Sequence, residues 1–233
     1  MYIYAKTNKG LIRLSNQDSL LIAHNTYGVA DGMGGHKGGE TASRVAVQVV
    51  KDSLYGQSPC PEKLTAAFSA ANARVYDMQK KDSALSGMGT TMTLLWESDK
   101  EMLIGHVGDS RAYLYRDGKL TQQTADHSVV AELVRNKIIT PEMALTHPYR
   151  SVITRALGTD PAVETDILTV EKKKDDLWLV CSDGLYNMVP DNQITEVLSA
   201  LPPEQAADKL LELAIDHGGH DNVSFVLGKV VLV

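Results

Sequence analysis

Residues 88–115 read MGTTMTLLWESDKEMLIGHVGDSRAYLY, a stretch in which three apolar runs follow one another closely. The runs 88–96, 102–107 and 111–115 each predict a strand, and Asp117-Gly118 is typical of a tight hairpin turn. Strands grouped in this way, rather than alternating one by one with helices, favour an α+β fold over a doubly wound parallel sheet.

The rest of the chain extends this pattern on both sides. Apolar residues recur at helical spacing over 40–54 and 62–80, which predicts two amphipathic helices. Asp191 can cap one later helix, and Pro203 can start another. Further strands are expected at 2–6, 20–23, 27–30, 163–170, 177–181 and 223–231. The order is therefore strands, helices, strands, helices and a last strand.

One segment departs from this regular pattern. Residues 125–150 have little continuous apolar character, contain two prolines and carry one short helical pattern at 128–136. We expect a surface excursion here, and such segments often carry function, although an inert insertion has the same appearance. The chain has no repeat, low-complexity stretch or linker, so residues 1–233 are interpreted as one domain.

Composition excludes several classes of protein. The 233 residues are 43% hydrophobic and 22% charged, as in an ordinary globular domain. With 23 basic and 29 acidic residues, 23 − 29 gives a net charge of −6, which argues against nucleic acid or an anionic membrane as partner. No apolar run is long enough for a transmembrane helix, and the start does not resemble a signal peptide.

The two cysteines suggest a cellular location. Cys60 and Cys181 lie far apart and form neither a metal-ligand spacing nor a disulfide framework. A reducing, cytoplasmic location is the expectation.

Aspartates at strand ends are the most informative feature of the sequence. Asp31, Asp109 and Asp183 each follow an apolar run, and Asp221 precedes the last one. Converging carboxylates need a counter-charge, and an all-oxygen set prefers Mg or Mn to Zn. The alternative is that each Asp is an ordinary turn residue, because Asp-Gly and Asp-Asn are common turn dipeptides.

Two other features would suit a phosphate. The glycine-rich run 31–39 precedes a helix and could cradle an anion, although it is neither a P-loop nor a dinucleotide fingerprint and could be only a flexible loop. Arg13 could bind phosphate in bidentate fashion, although a single arginine is more often a solvated surface charge.

Seven short motifs, in order, resemble those of the metal-dependent serine/threonine protein phosphatases of type 2C in their compact bacterial form. They are spread over nearly the whole chain, from Arg13 to Asn222. They are RLSNQD at 13–18, DGMGGH at 31–36, MGTT at 88–91, GDSR at 108–111, ITRALG at 153–158, SDGL at 182–185 and HDN at 220–222. Each motif is weak alone, but the ordered set is specific.

The resemblance implies a four-layer α-β-β-α sandwich of two antiparallel sheets, with residues of about 125–150 as a flap beside the active site. It implies that Asp31, the Gly32 carbonyl, Asp183 and Asp221 bind a pair of Mn or Mg ions, and that Asp109 helps to bind a third with Asp183. The resemblance also implies that Asp18 lies in or near the metal shell and that Arg13 holds the substrate phosphate.

Catalysis would then need no protein nucleophile, because a bridging water activated by the paired ions attacks phosphorus. His36 is a candidate general acid for the departing alkoxide, with a structural role in the loop as the alternative. Gln17 stands where many members have Glu, so this position cannot supply a charged ligand.

The resemblance also implies function and partners. The expected substrates are proteins carrying phosphoserine or phosphothreonine, and the expected counterpart is a bacterial serine/threonine kinase. A small-phosphoester hydrolase and a catalytically silent phosphoprotein-binding module remain as alternatives. A monomer without nucleic-acid or membrane partners is expected.

Overall fold

The computed structural model describes residues 1–35 and 38–231. Within them, strands and helices occur largely where the apolar patterns predicted them. The strands are β1 (Tyr2–Asn8), β2 (Asp18–Ala23), β3 (Thr26–Met33), β4 (Gly89–Thr90), β5 (Met92–Glu97), β6 (Glu101–Val107), β7 (Arg111–Arg116), β8 (Lys119–Gln122), β9 (Asp166–Glu171), β10 (Leu177–Cys181) and β11 (Val223–Lys229). The helices are α1 (Gly38–Leu54), α2 (Pro61–Lys81), α3 (Val129–Arg135), α4 (Pro141–Leu145), α5 (Asp183–Tyr186), α6 (Asp191–Ala200) and α7 (Pro203–Asp216), with a 3₁₀ turn at Ser83–Leu85.

These strands form two antiparallel sheets. One sheet has the order β1-β11-β10-β7-β8, and the other has the order β2-β3-β5-β6-β9, with β4 paired to β3. Strands distant in sequence become neighbours, since β1 pairs with β11 along its whole length. The sheets therefore assemble the first and last parts of the chain side by side.

Alternation along the strands creates the layers. In β10, Leu177 and Leu179 pack against α6 and α7, whereas Trp178 and Val180 face the other sheet. In β5, Leu94 and Trp96 pack with the residues of α1 and α2, and Leu95 faces the inter-sheet core. Strands buried on both faces explain the continuous apolar runs, and the predicted four-layer α-β-β-α sandwich is confirmed.

The outer helices α1 and α2 are amphipathic, as the spacing of their apolar residues predicted. In α1 the buried positions include Ala42, Ala46 and Val50, which recur every four residues. Helix α2 has Pro at its first position and buries Leu64 and Phe68 against the sheet.

Three local predictions need correction or refinement. The strand expected at 163–170 begins only at Asp166, because Val163 packs against the α1–α2 core without pairing in the sheet. Residues 125–150 hold the expected helix, capped by Ser128, and also the unpredicted helix α4. Asp191 does not cap α6, because Pro190 occupies the cap position and Asp191 is the first helical residue. Asp183 follows β10 and begins the one-turn helix α5. Within the described residues, no helix is long and apolar enough to cross a membrane.

Candidate active site

A cleft of about 690 Å³ lies where the ends of the two sheets meet, and four acidic side chains line it. These are Asp31, Asp109, Asp183 and Asp221. One sheet supplies Asp31 on β3 and Asp109 after β6, and the other supplies Asp183 after β10 and Asp221 before β11. The strand-end aspartates predicted to converge do share one site.

The backbone around Asp31 is rigidly held. Its N–H donates to Thr91 Oγ1 at 2.9 Å, and its carbonyl accepts from Thr90 Oγ1 at 2.8 Å and from the Thr91 N–H at 2.9 Å. The MGTT motif thus serves to fix the position of Asp31, a role that the sequence did not reveal.

Gly32 follows Asp31 at a point where no other residue fits. A Cβ atom there would lie 2.0 Å from the carbonyl oxygen of Gly39, so the start of α1 could not approach β3 as it does. Gly32 lines the cleft, where its carbonyl is a candidate metal ligand.

The carboxylates of the cleft are electrostatically strained. Burial and the charge of Asp221 raise the pKa of Asp183 to about 6. Burial and the charge of Asp183 raise the pKa of Asp109 to about 7. Burial, with the charges of Asp18 and Asp183, raises the pKa of Asp31 well above its ordinary value. A cation would relieve this repulsion.

Unsatisfied oxygens support the same interpretation. Among the described residues, Asp18 Oδ1 and Asp183 Oδ1 are buried without a hydrogen-bond donor. Buried acceptors are normally paired, so an unpaired carboxylate oxygen at Asp183 fits a site built for a cation. Carboxylate and carbonyl oxygens suit Mg or Mn.

The carboxylates do not by themselves form a closed cage. Within the described part of the chain, no three Asp, Glu, His or Cys side chains lie close enough together to hold one ion alone. Because Mg²⁺ keeps several waters and needs only one or two carboxylates, four carboxylates around one cleft still fit hydrated ions.

Arg13 lines the cleft from the loop that joins β1 to β2. Its Nη2 donates to Asp221 Oδ2 at 2.6 Å, and the neighbouring acids raise the pKa of the guanidinium. Of the cleft-lining residues that the structure describes, Arg13 is the only basic one. Its side chain is 56% exposed, so it can also meet a ligand in the cleft.

Asp18 and His36 stand apart from the other predicted site residues. Asp18 does not line the cleft but lies opposite Asp31 across the β2–β3 pair, where Ser182 Oγ donates to it at 2.8 Å. Burial raises its pKa to about 7. His36 lies outside the described residues.

Asn222 is a supporting residue beside the cleft. Its side-chain amide donates to the carbonyls of Lys9 and Ser15 at 2.8 and 2.9 Å, and its Oδ1 accepts from the Gln17 N–H at 2.8 Å. These bonds join the segment before β11 to the loop that carries Arg13. The motif at 220–222 predicts a supporting role for Asn222, and the structure supplies its partners, which lie about two hundred positions away in the chain.

A second support holds the Asp109 loop. Tyr186 donates its hydroxyl to the Asp109 carbonyl at 3.0 Å, and the Arg111 guanidinium stacks on the Tyr186 ring at 3.7 Å. Arg111 also forms a bidentate pair with Asp126. Arg111, the basic residue of the GDSR motif, is therefore a partly buried support and does not line the cleft.

His127 connects the same loop to the segment after the excursion. The Gly108 N–H donates to His127 Nδ1 at 3.0 Å, so the ring proton is on Nε2, which donates to Asp166 Oδ2 at 3.1 Å. Burial lowers the pKa of His127, consistent with a neutral ring.

Comparison with known proteins identifies relatives for this arrangement. Residues 13–213 match the family described as Protein phosphatase 2C. The serine/threonine protein phosphatase PstP of Mycobacterium tuberculosis is 40% identical over 230 residues, which cover 97% of this chain and 44% of PstP. The chain thus spans less than half the length of that relative. The serine/threonine phosphatase stp of Listeria monocytogenes is 35% identical over 97% of this chain and 95% of its own.

A solved structure adds a metal. The catalytic domain of PstP in complex with two manganese ions superposes with a TM-score of 0.91 at 37% identity, covering 99% of this chain and 98% of that one.

Proposed function

Because the chain belongs to the protein phosphatase 2C family, we propose that it hydrolyses phosphoserine and phosphothreonine in proteins with Mn or Mg as cofactor. The family is therefore the one that the seven motifs predicted. The observation that carries the proposed activity is the single cleft in which four strained carboxylates and Arg13 meet.

The cofactor would be held by oxygen ligands alone. Asp31, Asp183, Asp221 and the Gly32 carbonyl would bind two ions, and Asp109 with Asp183 would bind a third. The manganese pair in the PstP catalytic domain supports the first two, and the third rests on the position of Asp109 in the cleft. When bound, the ions supply Lewis-acid activation of a water nucleophile and neutralise charge on the phosphoryl oxygens.

Arg13 orients the phosphate. Among the described residues its hydrogen bond to Asp221 takes one N–H of Nη2, which leaves the second N–H of Nη2 to act together with Nε or Nη1 on phosphate oxygens. The bond to Asp221 holds the guanidinium over the cleft, and two parallel N–H donors match the geometry of a phosphate. Its charge also stabilises the phosphoryl group as electron density moves toward the leaving oxygen.

His36 is the proposed general acid. The alkoxide of serine or threonine needs a proton, and an imidazole titrates in the right range. The position of His36 in the glycine-rich run that borders the cleft at Gly34 supports this role. Asp18, opposite Asp31 and behind the cleft, would support the metal shell from beneath.

The alternatives are less well supported. A small-phosphoester hydrolase would want further basic groups around the ester, whereas Arg13 is the only basic residue among the described residues that line the cleft. A catalytically silent binding module would have lost some of the metal-binding residues, whereas Arg13 and all four cleft aspartates are present.

Domain and partners complete the proposal. Residues 1–233 act as one catalytic domain, and residues 125–150 form its flap, a role supported by cleft-lining residues Ser151 and Ile153 just beyond it. The substrates are phosphoproteins and the counterpart is a serine/threonine kinase. We also retain a cytoplasmic, monomeric protein as a prediction.

Metal-dependent turnover is the direct test. Hydrolysis of p-nitrophenyl phosphate and of a phosphothreonine peptide would be measured with Mn, with Mg and with a chelator. Asp183→Asn should abolish both activities, whereas Asp77→Asn, the same change on the exposed face of α2, should leave them intact. Folded protein without turnover in any metal would refute the enzyme and favour the binding module.

A further inference from the structure

Two exposed aliphatic side chains flank the phosphate-binding arginine. Ile12 is 66% exposed and Leu14 is 97% exposed, on either side of Arg13 in the chain. Single exposed leucines are common on protein surfaces and need no explanation. These two differ in position, because both line the same cleft as the four aspartates.

The apolar lining continues beyond this loop. Met33, two residues after Asp31, and Ile153, just after residues 125–150, also line the cleft. The aliphatic groups thus adjoin the site where a phosphate would lie, and they come from three separate segments of the chain.

Charge in the cleft favours the same type of ligand. Of the described lining residues, Arg13 is basic and four are acidic, and the whole chain carries a net charge of −6. With the phosphate on Arg13, none of the other described lining residues is basic, so an acidic residue beside the phosphate would find no partner of opposite charge. Aliphatic neighbours would instead bury apolar surface against Ile12 and Leu14.

We propose that Ile12 and Leu14 determine substrate specificity by receiving aliphatic side chains adjacent to the phosphorylated residue of the substrate polypeptide. The inference rests on the proposed phosphatase function and names its preferred substrate class, which is phosphopeptides with aliphatic rather than acidic flanks. Its physical basis is that Ile12 and Leu14 line the same cleft as Arg13, directly beside the place where the phosphate would bind.

Matched peptides test the proposal with the full chain in Mn. In these peptides the phosphothreonine has Leu, Gln or Glu on both sides, and p-nitrophenyl phosphate is assayed in parallel. For wild type, kcat/KM should follow the order Leu, Gln, Glu. The Ile12→Ser and Leu14→Ser variants should each lose about 5- to 10-fold on the Leu peptide and less than about 2-fold on the Gln peptide.

Leu11→Ser is the matched control. Leu11 lies in the same loop and is 63% exposed, but it does not line the cleft, so all three peptides should react as with wild type. Equal rates on the Leu and Gln peptides, or equal losses on every substrate in the Ile12 and Leu14 variants, would overturn the inference while leaving the phosphatase intact. Absence of turnover by wild type, p-nitrophenyl phosphate included, would overturn the proposed function and this inference with it.

Discussion

Removing one charge from the cleft should stabilise the metal-free protein even as it destroys activity. The change is Asp183→Asn, in a side chain whose pKa burial and the charge of Asp221 raise from 3.8 to about 6. The folded state therefore disfavours the ionised carboxyl of Asp183. The resulting loss of folding stability occurs only at pH values where this carboxyl is charged. The amide is neutral, similar in size, and can still accept the bond from Asn187 Nδ2.

The magnitude follows from the pKa. An increase from 3.8 to about 6 corresponds to about 3 kcal/mol of destabilisation of the wild type above pH 6. Losing the negative charge at the start of α5 should offset about 1 kcal/mol of this gain. The net gain for the variant is about 2 kcal/mol, or roughly 4–8 °C in Tm for a chain of this size.

The pH dependence has a definite sign. For an acid whose folded pKa is raised, stability is fully present below the unfolded value near 3.8 and is lost as pH rises through about 6. The advantage of Asp183→Asn should therefore be absent near pH 4, grow between pH 4 and 6, and be complete at pH 8.

Urea and thermal unfolding in chelator at pH 5 and pH 8, followed by circular dichroism, would measure the effect. Asp77→Asn controls for the chemical change on an exposed helix face. Saturating Mn should reverse the order, because binding at a hundredfold excess over Kd stabilises the wild type by about 2.7 kcal/mol. A metal-free variant no more stable than wild type at pH 8 would refute the argument that these carboxylates are strained.

Two further substitutions test the supports of the site. Arg13→Lys should keep an ion pair with Asp221 but lose the bidentate donors, so kcat/KM for p-nitrophenyl phosphate should fall by about 10- to 100-fold. Steady-state rates near those of wild type would exclude phosphate binding by the guanidinium. Tyr186→Phe should remove the 3.0 Å bond to the Asp109 carbonyl and retain the stacking on Arg111, costing about 1 kcal/mol in urea unfolding. An unchanged urea midpoint would mean that the hydroxyl does not hold this loop.

The main elements of the site could be inferred from residues close together in the chain. Asp31-Gly32 and Asp183-Gly184 each follow an apolar run, so strand, turn and carboxylate are all encoded locally. The spacing of apolar residues in 40–54 and 62–80 likewise predicts an apolar helix face, although it does not predict which element packs against that face. These local signals, together with the ordered motifs, were sufficient for the layers of the fold and for the family.

The supports of the site depend on contacts between distant segments. Ser182 bonds Asp18 across 164 positions, and Asn222 holds Lys9 across 213. Arg111 illustrates the limit, because it stands in the same motif as Asp109, yet its stacking on Tyr186 and its ion pair with Asp126 keep it out of the cleft lining. The raised pKa values have the same origin, since they follow from burial and from the distances between charges that sheet pairing brings together.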